Sequence, residues 1–460
     1  MAWALGCVFL LFVAISFAEI GGILPKSGAI VRYPQVPYVW APVFLALPTT
    51  GMVFAYLGFR QGIEYGGETK NPQRDLPLGT IMGFLIAMAI YVLLQVAFIG
   101  AIDWGKIGLK PGDWADLTST ALSSGPFYEI MKVSGIPILM AFAIILLIDA
   151  IVSPSGTGWI YIGTTTRTFY GMAADGHLPS WFLTLNRWKI PKWSAIASLI
   201  IGALFLIPYP AWIYIATFIS TTTVITYTVV GSSMLVLRKT APHAPRPFKL
   251  GNYTTAAIVG GLAFIFAYLI PYWSGFTSMW GVAALILAGL PLFYMYTASN
   301  RFGVKRSNAA ILGVIYWVIL GLATWFLIYQ PIIVPYNSIG PLPLSMKYIT
   351  PFIEYVVLML AVTIAFAMIV RHWANEEGKQ HIDSGWWAVA MIFSVLILDF
   401  VGPISIWKTP PLPFPWDTVT AAIAALGLFI WSVFSGIPTK DLEIVLRDMG
   451  IQPPSSCTSK

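Results

Sequence analysis

The feature that most limits what this chain can fold into is a succession of apolar runs, most of them about long enough to cross a lipid bilayer, separated by short charged or Pro/Gly-rich stretches. Backbone amides and carbonyls in hydrocarbon have no water to bond, so such runs must be helices that satisfy themselves. The runs are 3–24, 40–60, 78–102, 135–171, 194–209, 211–237, 255–273, 276–298, 309–330, 350–371, 385–405 and 417–437. The expected fold class is therefore an all-α integral membrane protein, a polytopic bundle of about twelve transmembrane helices. Composition agrees: 58% of residues are hydrophobic and 10% charged, against about 45–50% and 25% in ordinary soluble domains.

The formal net charge of +7 would suit an acidic partner such as nucleic acid, but in a membrane protein the place of each Lys and Arg matters more than the sum. Arg60, Lys70, Arg74, Arg167, Arg187, Lys189 and Lys192 fall on one face. So do Arg238, Lys239, Arg246, Lys249, Arg301, Lys305, Arg306, Arg371, Lys379, Lys440, Arg447 and Lys460, which brings that face to 19 of the 26 basic residues. The positive-inside rule makes that face cytoplasmic, with both termini on it. The lipid bilayer of the cell membrane is thus the expected partner, and nucleic acid is not.

Two cysteines, Cys7 and Cys457, support neither a disulfide framework nor a metal motif. No nucleotide-binding glycine loop and no HExxH occurs, and the histidines number four; the chain is read as no enzyme, with no cofactor and no metal. The run 135–171 is too long for one crossing: 37 residues rise about 55 Å against a hydrocarbon core of about 30 Å. A crossing that ends near Thr164, followed by a surface arm from Thr165 to Pro179, is expected.

Two spans are interrupted by residues that suit a site. In 40–60, Pro48-Thr-Thr-Gly51 is followed by Phe54-Ala-Tyr-Leu-Gly58, and the chain then passes Arg60 and Glu64 into the polar stretch ending at Pro77. A helix broken at mid-membrane frees carbonyls and amides for small charged solutes. An ordinary proline-kinked helix explains the same residues. In 135–171, Asp149 precedes Ser153-Pro-Ser155-Gly-Thr157. A carboxyl within an apolar crossing is costly enough to suggest a role in gating or coupling, unless it reaches the outer interface or takes up a proton. Arg60 and Glu64, four apart, can pair on one helix face at the inner mouth. The hydroxyl patch at Thr217 and 220–223 suits helix packing at least as well as a pathway. Asp399, close to the outer end of its span, is expected to snorkel to the interface.

Several stretches resemble the amino acid–polyamine–organocation permeases in family order. GFRQGIEYGGETKNPQRDLPLG is similar to that family's sixth helix and following loop, and Ser153 to Thr157 with Thr166-Arg-Thr-Phe-Tyr-Gly-Met-Ala-Ala-Asp-Gly-His-Leu-Pro179 is similar to its eighth helix and inner loop. Arg238 to Phe248 resembles the loop after the tenth helix, and 18–34 the end of the second. The resemblance implies a five-plus-five inverted repeat with substrate near the midplane. It also implies a secondary transporter of amino acids or related amines. It places the substrate's amino group on carbonyls of Phe54, Ala55 and Leu57, with Tyr56 and Gly58 in the same segment, and Ser153, Ser155 and Thr157 near the coupling ion, a proton or sodium. Counterparts of the family's first and third to fifth helices are not found, which makes the first repeat partial. A non-transporting remnant, a sensor, or half of a split transporter completed by a partner chain is the alternative. The expected organisation is a permease-like region at 1–300, four additional helices at 301–437 and a cytoplasmic tail at 438–460.

Overall fold

A computed structural model describes residues 52–65 and 69–438, with Pro48 before them and without residues 112, 124, 207–211, 243, 245, 247 and 248. The span expected at 3–24, most of 40–51, Cys7, Cys457 and both termini lie outside the described residues. The described chain is helical. Helix α1, Met52–Tyr56, passes through a 3₁₀ turn, Leu57–Arg60, into α2, Gln61–Glu64. Helix α3 is Pro72–Ala101, α4 Pro126–Val133, α5 Pro137–Ala174 and α6 Lys192–Phe205. Then come α7, Trp212–Thr226, α8, Thr228–Thr240, and α9, Tyr253–Trp273. Helices α10, Phe276–Arg301, and α11, Arg306–Ile339, precede α12, Met346–Trp373, α13, Glu376–Ser384, α14, Trp386–Val401, and α15, Trp416–Phe434.

Among the described residues, nine helical stretches are long and apolar enough to cross a membrane, with α7 and α8 forming one and α13 and α14 another. This is the polytopic all-α class expected. The described residues contain no strand, only two isolated bridges, Leu185 with Pro191 and Leu342 with Trp407.

Helix α9 is the centre of the core. Lipid tails are as apolar as leucine, so helices in a bilayer associate through close packing rather than hydrophobic burial. Helix α9 carries Ala256, Gly260, Gly261, Ala263 and Ala267, all buried. Gly231 of α8 lies so close to Gly260 that a Cβ on it would strike the Gly260 carbonyl oxygen. Gly261 admits the Phe429 ring of α15, and Ala421 and Ala425 of that helix are fully buried. Helices α11, α12, α14 and α15 thus share one apolar core with α7 to α10.

Two of the helix prolines coincide with π turns. Pro331 lies inside the π segment Thr324–Ile333 of α11, and Pro291 shortly precedes Phe293–Thr297 of α10. A missing amide and a ring clash are relieved by widening the helix locally.

Loops meet at two ends. At one, His177 Nδ1 lies 2.8 Å from Thr297 Oγ1, the Asn300 side chain donates to the Gly176 carbonyl, and the Asn375 amide donates to the Phe302 carbonyl. Arg301, Lys305, Arg371 and Lys379 therefore gather there. At the other, the amides of Leu342 and Phe276 donate to the carbonyls of Ile406 and Ile404.

One expectation is refined and one corrected. The arm expected from Thr165 is not a separate element: helix α5 runs on unbroken from Pro137 to Ala174. Thr164, Thr166 and Thr168 turn their hydroxyls back onto the helix's own carbonyls, and Arg167 donates to Gly163. The polar residues are thus satisfied within the helix. It stops at Gly176, whose φ is +78°, where the His177 amide donates to Met172 and the Gly176 amide to Ala173 in a Schellman closure. Asp399 does not snorkel: it is 1% exposed, because α9 and α15 enclose the end of α14.

The polar segment at 103–133 forms two 3₁₀ turns and α4. Within it the Lys106 amide, bonded to the Asp103 carboxylate, holds that carboxyl below its ordinary value.

Candidate functional site

The segment 52–64 changes its hydrogen-bond period twice, α to 3₁₀ at Leu57 and back at Gln61. A 3₁₀ stretch within a helix is a local mismatch that frees backbone groups. Those groups meet side chains here. Tyr91 of α3 donates to the Ala55 carbonyl at 3.2 Å. With its amide turned to bond, the buried Gln61 donates to the carbonyls of Gly58 at 3.2 Å and Leu57 at 3.3 Å. Tyr56 is buried against Phe84 and edge-on to Tyr91, and its hydroxyl has no hydrogen-bond partner among the described residues.

Three helices hold the segment. Phe84 and Tyr91 contribute from α3. From α5, Gly163 lies under Tyr65, close enough that a Cβ there would collide with the phenol oxygen, and Arg167 sits 4.1 Å from the Tyr65 ring centre. From the junction of α7 and α8, Tyr227 faces Phe59 at 6.0 Å and the Arg60 guanidinium at 5.5 Å. Arg60 also pairs with Glu64 at 3.3 Å, as their spacing suggested.

Tyr227 marks a second interruption that sequence reasoning missed. Helix α7 ends at Thr226 and α8 begins at Thr228. Thr226 and Thr228 donate their hydroxyls to the carbonyls of Thr223 and Ile225, and such back-bonding competes with the helix's own ladder. The signal was in the hydroxyl patch, since one more turn of it brackets Tyr227. Within the patch, Thr221 Oγ1 reaches Ser274 Oγ of the α9–α10 turn at 2.7 Å, which is a packing contact between helices. Two discontinuities, at 57–60 and at 227, thus face one another.

The α5 residues stand apart from this cluster. Asp149, Ser153, Ser155 and Thr157 are all exposed. Ser155 donates to the Ile151 carbonyl at 2.6 Å and Thr157 to the Ser153 carbonyl at 3.1 Å, so the helix runs unbroken through Pro154. The most apolar stretches of α3 and α5 are each only 6% buried within the protein, against 50% for α9. Of the residues expected to form a site, the structure therefore brings together Phe54 to Gly58, Arg60 and Glu64. It joins them to α5 at Gly163 and Arg167 rather than at Ser153 to Thr157.

The contact at Gly163 carries a test. Gly163→Leu must displace Tyr65, and overpacking of this kind costs about 1–3 kcal/mol. A fall in the melting temperature of the purified protein is expected, together with loss of the Tyr65–Arg167 contact.

A family model described as amino acid permease matches residues 34–288. The glutamate/serine transporter AimA of Bacillus subtilis is 34% identical over 285 residues, 62% of this chain and 50% of that protein. The aspartate-proton symporter of Bacillus subtilis is 32% identical over 408 residues, 88% of this chain and 62% of that protein. The branched-chain amino acid permease BcaP of the same organism is 24% identical over 272 residues. The chain spans about half to three-fifths of the length of the first two relatives. No solved structure matches it. With more than half of its residues inside the family match, and with the multi-pass helical fold that such proteins need, this chain is a member of the amino acid permease family.

Proposed function

We propose that the protein is a secondary transporter of amino acids in the cell membrane and that its substrate sits at the interruption Phe54 to Gly58, opposite Tyr227. The observation that carries this reading is the 3₁₀ turn at Leu57–Arg60, at which the Ala55 carbonyl accepts from Tyr91 of α3 and the Leu57 and Gly58 carbonyls accept from Gln61 of the same segment rather than from the α-helical ladder alone. A substrate ammonium is a better partner for such carbonyls than a neutral amide or phenol, because a charged donor makes bonds about twice as strong. Gln61 and Tyr91 are the donors a substrate ammonium would compete with at those carbonyls. Tyr56, with an unused buried hydroxyl, lies in the same place. Arg60 and Glu64 form a gate at the basic end, anchored by Tyr227. Asp149, Ser153, Ser155 and Thr157 form a coupling region apart from the substrate cluster, on a face of α5 that the described residues leave open.

Amino acids with small or acidic side chains are the first substrates to examine, because the relatives' names specify glutamate, serine and aspartate. The region up to residue 300 carries the site, and the four helices after it brace the site through α9 and α10. The basic loops gathered at 176–177, 301–306 and 371–379 face the cytoplasm, with both termini.

Ligand-dependent stability tests the site without requiring transport. A bound amino acid at a hundred times its dissociation constant adds about 2.7 kcal/mol to stability. The melting temperature of the purified protein is expected to rise with glutamate, aspartate or serine and not with their decarboxylated or deaminated analogues. An unchanged melting temperature with every amino acid contradicts the assignment. Co-purification from its own membrane tests in parallel whether a partner chain contributes helices to the site.

A further inference from the structure

The C-terminal helices hold two carboxyl groups that the site above does not use. Asp399, near the end of α14, and Asp417, in the first turn of α15, are each 1% exposed. Neither oxygen of Asp399 has a hydrogen-bond partner among the described residues, and one oxygen of Asp417 is likewise unpartnered. The other accepts from the Tyr272 hydroxyl at 2.7 Å and lies 3.2 Å from Thr418 Oγ1. Tyr272 ties the two helices together. Its hydroxyl sits against Gly402, where a Cβ would stand 2.5 Å away, three residues beyond Asp399.

The groups that face Asp399 can be named element by element. Helix α9 offers Tyr268, bonded to Ser394 at 2.8 Å, and Tyr272, both within electrostatic range of Asp399. Helix α15 offers Asp417 by way of Tyr272, whose hydroxyl it binds. Helix α10 begins there with Phe276 and Met279, and α12 presents Phe352, stacked on Phe400, while its Glu354 is exposed. The nearby loop has Lys408, also exposed, and Trp407, which donates to the Phe400 carbonyl. No cation reaches Asp399 among these residues. A buried carboxylate lacking both a donor and a counter-charge is not sustained; it takes up a proton or the surroundings open to water.

We propose that Asp399, with Tyr272 beside it and Asp417 bonded to Tyr272 on the far side, is a proton-binding site of the C-terminal helices, occupied in the closed arrangement of α9, α14 and α15 and emptied when they part. In the closed arrangement the carboxyl carries its proton. When water enters from the loop end at 402–412, that proton passes to water and the carboxylate is solvated. Proton binding and helix closure are therefore linked, because each favours the other by the same free energy. Coupling of this proton to amino acid movement rests on the transport reading above; the proton site itself does not.

Infrared difference spectroscopy of the full-length protein in lipid, with a step in pH, reads the site directly. A protonated-carboxyl carbonyl band is expected in the unmodified protein, shifted by isotope-labelled aspartate and lost in Asp399→Asn. That substitution keeps the side-chain shape, and a monodisperse elution profile shows that the variant is folded. In proteoliposomes, Asp399→Asn is expected to lose proton-driven accumulation while retaining exchange that no longer varies with pH. Asp417→Asn, which keeps Asp399, is expected to retain the band at a changed position. The proposal is overturned if no aspartate-sensitive band exists in the unmodified protein, or if Asp399→Asn keeps the band; loss of the band with an unmodified pH profile of accumulation overturns the coupling of this proton to transport. If the band behaves as expected and no amino acid is taken up, the transport reading fails and the proton site stands.

Discussion

Gly58→Leu is expected to reach the membrane at the level of the unmodified protein and to bind no amino acid. A Cβ at Gly58 meets no atom within 4 Å, and the residue is exposed in the structure, so a side chain there has room. Replacing a helical glycine also removes a backbone entropy cost of about 1 kcal/mol, which favours folding. Among the described residues no atom stands where the leucine Cβ would lie, so its expected effect is on what enters the space beside the interruption. If that is the substrate, affinity should fall by a hundredfold or more, about 2.7 kcal/mol. Equilibrium binding of a labelled amino acid checks this; undiminished binding would favour the plain kinked helix, in which the turn at 57–60 merely relieves strain.

Gly231→Val should have the opposite profile, with little folded protein recovered. Its Cβ would meet the carbonyl oxygen, carbonyl carbon and Cα of Gly260, all backbone atoms of α9. Backbone at the centre of a helix cannot rotate aside as a side chain can, so α8 and α9 must separate along the contact. Overpacking costs typically about 1–3 kcal/mol and occasionally more, and this contact lies where the core helices converge. Gly260→Ala is expected to be milder but still destabilising, with the Gly231 carbonyl oxygen at 2.9 Å and the movable Met234 methyl at 3.3 Å. Gly202→Ala on α6, where nothing lies within 4 Å, serves as the neutral control. Thermal unfolding in detergent ranks the three.

The contrast between these glycines shows what the sequence carried. Apolar runs and their charged boundaries give the spans, because hydrocarbon tolerates only self-satisfied helices. An interruption in this span was legible from Gly58 and the charges that follow, though it lies at Leu57–Arg60, with Phe54 to Tyr56 in regular helix. Its opposite number at Tyr227 was hidden, since threonines are compatible with helix, packing or a break, and only the direction of their hydroxyls decides. Pro154 was misleading in the other direction: a proline among hydroxyls suggested a break, yet Ser155 and Thr157 bond within α5 and the helix continues. Asp399 was placed at an interface by its position in a span. Enclosure by α9 and α15 depends on tertiary packing, which a single helix's pattern does not record. The close approaches at Gly231 and Gly163 are equally invisible from spacing, because a glycine in a membrane helix serves as often to bend as to pack.

Uptake by the purified full-length chain in proteoliposomes tests the central claim most directly. Labelled glutamate, aspartate and serine are offered with and without an imposed proton or sodium gradient, with Gly58→Leu alongside. The expected result is saturable, gradient-driven accumulation of at least one of them by the unmodified protein and none by Gly58→Leu. Absence of uptake and exchange for every amino acid by folded, reconstituted protein would contradict the account.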